Sequence, residues 1–178
     1  MPHYLQTLFS TVHALYISLM SSIFLIGYDI DYSHCMKWSL LYFIIDGSYI
    51  LYYSPRYKYQ MLTHHMAGCG ALLPNILNTT IVSPLYYNLV AQGMLSEYST
   101  VPLNICWYLN DRKQTDNIVY KVSGILTLLL YIPFRLISFP HILIKLILNN
   151  YIILALLDAS VIGLNYYWFY KLVKRALP

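Results

Sequence analysis

FIIDGSYILYYSPRYKYQMLTHHMAGCG, residues 43–70, sets an acid, a basic turn and a histidine pair within two apolar runs. Asp46 sits inside the first run, Arg56 and Lys58 occupy the turn, and His64 and His65 open the second run. An ionised group at mid-bilayer depth costs roughly 2.5–3.5 kcal/mol even on the lenient insertion scale, so it turns toward a bundle interior and takes a partner there. The histidine pair is the nearest candidate partner for Asp46. The stretch therefore predicts two membrane helices joined by a basic turn, with a polar site inside the bundle.

The rest of the chain extends this pattern. Of 178 residues, 58% are hydrophobic and 10% charged, against about a quarter charged in an ordinary soluble domain. At about 20 residues per span, the length suits six spans with short connections and leaves no room for a separate soluble domain. The expected fold class is all-α: a multi-pass transmembrane helical bundle of about six spans, forming one domain over residues 1–178. Cys35, Cys69 and Cys106 make neither an even framework nor a CxxC pair and read as structural thiols. The net charge of +4 sits mainly in loops and the C-terminal tail, where it reads as a topology signal. No basic–aromatic patch points to nucleic acid.

The expected spans are 5–27, 38–53, 60–77, 84–109, 118–140 and 151–172. The first holds His13 and no cleavage pattern follows it, so it is expected to be retained. Pro55 is expected to close the second. Pro102 is expected to kink the fourth, freeing a carbonyl near Tyr98, and Pro133 and Pro140 are expected to break the fifth into two pieces. On one side of the membrane lie Arg56, Lys58, Arg112, Lys113, Lys171, Lys174 and Arg175, and on the other only Lys37 and Lys145. Both termini are therefore expected to face the cytosol. The sequon Asn78-Thr79-Thr80 then falls on the lumenal side, too close to the adjoining spans to be used.

At ~1.5 Å per residue this topology puts Asp46 roughly 12 Å from the cytosolic surface, Glu97 about 18 Å, and the histidines within about 10 Å. One pocket open to the cytosol would satisfy them all. Adjacent helical residues point about 100° apart, so one histidine acts and the other supports it. Imidazole serves as base or nucleophile near neutral pH, and a carboxylate bonded to it fixes its tautomer. This chemistry suits acyl transfer to an amine or hydroxyl. The other reading of the same groups is that they pin helices together. Arg135 is expected to snorkel toward the lumenal interface or to pair with Asp158. No HxxH or HxxxH spacing joins His13, His64, His65 and Glu97, so no metal is expected.

Six segments carry a resemblance: TLFSTVHAL (7–15), YFIIDGSYIL (42–51), LTHHMAG (62–68), MLSEYSTVPLNICWYL (94–109), PFRLISFP (133–140) and LNYYWFYKLVK (164–174). In this order they resemble the TLC-domain family of multi-span lipid-handling proteins, which includes the ceramide synthases. The resemblance implies a TLC-like bundle. By analogy with the synthases, it makes His64 and His65 a catalytic dyad that transfers a fatty acyl group from acyl-CoA. Glu97 stands at the second acidic position of the family's later motif, while Met94 occupies the first. The run Glu97 to Pro102 is more similar to the branch that does not make ceramide.

The expected catalytic set is His64, His65, Asp46 and Glu97, with His13, Ser96 and Asn104 as binding residues. The expected partners are membrane lipids, with acyl-CoA as co-substrate and no bound cofactor, and a homo-oligomer stays open. The function implied is lipid metabolism or homeostasis by acyl transfer to a lipid amine or hydroxyl. The alternative is a non-catalytic protein that binds, senses or moves lipid. The resemblance points to the endoplasmic reticulum.

Overall fold

A computed structural model describes residues 3–53 and 58–176. The expected turn with Pro55 and Arg56 lies outside them. Among the described residues there is no strand. The helices are α1 (His3–Leu25), α2 (Tyr32–Tyr53), α3 (Lys58–Ile76), α4 (Pro84–Met94), α5 (Thr100–Asp111), α6 (Ile118–Tyr131), α7 (Ser138–Leu148) and α8 (Ile152–Ala176). A 3₁₀ segment, Leu95–Ser99, joins α4 to α5, and a π segment, Ile132–Ile137, joins α6 to α7. The eight helices thus make six rods.

The turns follow from their residues. Four helix ends close on a residue of positive φ, namely Gly27, Asn78, Lys113 and Asn150. At each, the next N–H reaches back five residues: Tyr28 to Ile23, Thr79 to Pro74, Gln114 to Leu109 and Tyr151 to Leu146. This is the glycine-type C-cap, with asparagine as the usual substitute. At the helix starts, the Ser83 side chain accepts from the Tyr86 N–H with Pro84 following, and Asn117 accepts from the Val119 N–H. Asp31 accepts from the His34 N–H at 3.1 Å, and so starts α2 at Tyr32, six residues ahead of the expected span.

The packing is that of a membrane bundle. Side chains such as Leu8, Leu19, Ile45, Ile125 and Leu156 point outward and are 52–69% exposed, while Ser18, Ser21, Ser39, Asn75 and Asn165 are at most 4% exposed. An apolar exterior around an interior that also holds polar side chains suits lipid as the solvent. Among the described residues three helical stretches, Tyr4–Leu25, Ile118–Leu148 and Ile152–Lys174, are long and apolar enough to cross a membrane. The protein is an all-α integral membrane bundle. Its ends can be told apart by cross-links: Ser33 and Tyr87 both donate to Asn75 Oδ1, Ser83 bonds Tyr151, and at the opposite end Gln60 donates to Tyr167.

Two proline expectations meet different outcomes. Ahead of Pro102 the backbone tightens into the 3₁₀ segment, and the Thr100 N–H bonds the Glu97 carbonyl. The fifth rod is not broken into two pieces. It runs on to Leu148 because the π segment absorbs Pro133, and the Ser138 N–H reaches back five residues to the Pro133 carbonyl.

Candidate functional site: a histidine pair at the head of a cavity

α2 and α3 face each other through Asp46 and His65, whose Oδ2 and Nε2 are 2.8 Å apart. The other ring nitrogen of His65, Nδ1, lies 2.7 Å from the Met61 carbonyl. A carbonyl only accepts, so Nδ1 carries a proton. One further proton must then lie between Nε2 and Asp46. Gln6 of α1 donates to the second carboxylate oxygen at 3.1 Å. Both ring nitrogens of His65 and both oxygens of Asp46 are thus occupied, so this pair is a clamp between α1, α2 and α3.

His64 points elsewhere, as its one-residue offset requires. The two histidine rings are 5.6 Å apart at 83°. His64 Nε2 is 3.9 Å from Glu97 Oε1, and its Nδ1 is buried with no hydrogen-bond partner. Its ring meets Trp168 edge-on at 5.7 Å and Phe43 at 6.2 Å. Asp46 therefore meets His65 and not His64, and the acid near His64 is Glu97.

Glu97 is also the counter-charge of Arg135, with Nη2 to Oε1 at 3.8 Å. Arg135 is 5% exposed, and it donates to Ser99 Oγ at 2.8 Å, Thr100 Oγ1 at 2.9 Å and Asn165 Oδ1 at 3.4 Å. Its guanidinium lies 5.3 Å from the Tyr131 ring centroid. Both alternatives expected for Arg135 are overturned: it neither snorkels nor pairs with Asp158. The physical reason is the π segment, whose extra residue per turn changes the direction in which a side chain points.

Between α3, α4, α7 and α8 lies a cavity of about 100 Å³. His64, Ser96 and Glu97 line one part of it, Ala67, Gly68 and Ala71 give it room on α3, and Leu154, Asp158 and Val161 line it on α8. His13 is set off from this cavity. It stacks on Tyr42 at 3.7 Å, its Nε2 is 3.2 Å from Ser39 Oγ, and its Nδ1 has no partner. Asn104 does not reach the cavity either, since its amide donates to Ser10 and Thr11 and ties α5 to α1. Among the described residues no three His, Cys, Asp or Glu side chains could hold a metal ion.

The sequence reading missed Gln6, Ser99, Thr100, Asn165 and Trp168. For Arg135 a signal existed, since an intramembrane arginine requires an acid. A depth count cannot choose between Glu97 and Asp158, because a π turn alters direction more than depth.

The TLC domain family model matches residues 3–174. TLC domain-containing protein 4 A of Dictyostelium discoideum is 26% identical over 155 residues, 80% of this chain and 57% of that protein. The chain thus spans little more than half the length of this curated relative. No solved structure matches the chain.

Proposed function

The chain belongs to the TLC domain family, and from that premise we propose that it acts on membrane lipid by acyl transfer from acyl-CoA. The observation that carries this reading is the position of His64 in the wall of a largely apolar cavity: its Nδ1 is left without a hydrogen-bond partner, and its Nε2 lies 3.9 Å from Glu97. A space of about 100 Å³ takes a segment of one chain rather than a whole phospholipid. In the proposed step His64 removes a proton from the lipid hydroxyl or amine as it attacks the thioester carbonyl. A C–O or C–N bond forms, the C–S bond breaks, and the proton passes to the departing CoA thiolate. Glu97, held beside Arg135, balances the charge that His64 gains. His65 and Asp46 position α3 so that His64 faces the cavity.

The protein is proposed to lie in the endoplasmic reticulum with both termini cytosolic, so that CoA reaches His64 from the cytosol. Support for the orientation comes from the bias of Lys and Arg among the loops. A second reading, non-catalytic lipid binding, is favoured by one distance. Glu97 is 3.9 Å from His64, beyond hydrogen-bond reach, and so does not yet orient the imidazole as a catalytic carboxylate would.

Quantitative lipid profiles of cells expressing the wild type, His64→Ala or empty vector, matched for protein level, test both. The expected result is a lipid class that rises only with the wild type. Equal rises with wild type and His64→Ala would remove the catalytic reading and leave the binding one.

A further inference from the structure

Asp158 has no part in the polar network around the histidines. It is 8% exposed, it lines the cavity on α8, and its Oδ2 is buried with no hydrogen-bond partner. The neighbouring wall is apolar, with Phe139, Ile142, Leu146, Leu154 and Val161. A buried polar group left without a partner is costly, and Arg135, the interior cation, is taken up by Glu97. Trp168, which touches His64, lies ten residues along the same helix, or about 15 Å away. The cavity therefore has a second polar point, on a different helix from His64.

We infer that Asp158 is the receptor for the hydroxyl group of a lipid that occupies this cavity. The choice of hydroxyl follows from the surroundings. An alcohol both donates and accepts, so it satisfies the side chain whether Asp158 is a carboxylate or a carboxylic acid. An ammonium would have to shed its hydration shell into an apolar wall with one possible partner, and burying ions in this way is expensive. This inference rests on the proposal that the cavity holds lipid, but it does not require acyl transfer. It assigns the cavity a ligand class: a long-chain alcohol, or a lipid that carries a free hydroxyl partway along its length.

The experiment uses the full chain, purified and placed in phospholipid nanodiscs, with three photoactivatable probes of one chain length. They end in a hydroxyl, an ammonium or a plain methyl group. The alcohol is expected to cross-link to cavity residues of the wild type, and the methyl-ended probe about tenfold more weakly. Asp158→Leu is expected to bring the alcohol down to the methyl level while raising the melting temperature of the protein without probe, since the orphaned acid is gone. Asp158→Ala stands in if the leucine variant does not fold. The read-out is cross-linking and not turnover, so a wild type that forms no acyl-transfer product yet takes up the alcohol keeps the assignment, and loss of catalysis and loss of binding can be told apart. Equal labelling by alcohol and methyl probes, labelling indifferent to Asp158, or preference for the amine would each overturn the assignment.

Discussion

At the scale of the residue, the interior charges divide into two unlike arrangements. Asp46 and His65 are in full hydrogen-bond contact at 2.8 Å, whereas Glu97 has two looser neighbours, Arg135 at 3.8 Å and His64 at 3.9 Å. Arg135 is held by Ser99, Thr100 and Asn165 rather than by the acid it neutralises. Its charge nevertheless keeps Glu97 tolerable inside the bundle. Removing one partner of a buried pair costs about 3–5 kcal/mol, mostly because the survivor is left uncompensated. Arg135→Met should therefore lower the melting temperature sharply in detergent, and adding Glu97→Gln should recover most of the loss. A double variant no more stable than the single one would show that Arg135 acts through its hydroxyl and amide contacts and not through charge.

At the scale of the element, α3 is shaped by what it lacks. A Cβ on Gly68 would come within 2.9 Å of the Phe43 ring, and one on Gly70 within 2.6 Å of a Leu157 methyl. The shorter distance is the easier to relieve. Leu157 is flexible at its end and borders the cavity, while Phe43 is 4% exposed and packed against both histidines. Gly68→Ala is expected to cost about 1–3 kcal/mol and to lower any lipid change seen with the wild type, with Gly70→Ala milder on both counts. The reverse order, read by thermal unfolding, would mean that Phe43 gives way and does not fix the histidines. These elements differ in how plainly the sequence announces them. The histidine pair, Asp46 and the apolar runs declare a helical membrane protein with an interior polar site, because the cost of a buried charge can be read from composition alone. Asn104 and His13, named with the site, lie apart from the cavity, because a helix face is set by packing phase. The same limit hid the π segment: proline announces a missing N–H, and either a break or one extra residue can answer it.

At the scale of the molecule, the six rods place the loops 26–31, 77–83 and 149–151 at one end and 112–117 at the other, as the links Ser33–Asn75, Ser83–Tyr151 and Gln60–Tyr167 require. Which end meets the cytosol decides whether a water-soluble acyl donor can reach His64 by the short route, since His64 lies six residues into α3 and about 9 Å from its start. Asp158, by contrast, lies six residues into α8 from the other end. The two polar points of the cavity would then address opposite leaflets, one for donor chemistry and one for a lipid hydroxyl. The charge bias predicts the cytosolic side for residues 112–117. In a background with Cys35, Cys69 and Cys106 replaced by alanine, single cysteines at the exposed Gln114 and Asp29 would be probed with a membrane-impermeant maleimide. With only the plasma membrane opened, Gln114→Cys is expected to react and Asp29→Cys to react only after the inner membranes are opened as well. The opposite pattern would put His64 nearer the lumen, where acyl-CoA is not delivered, and acyl transfer from CoA would give way to lipid binding as the role of the cavity.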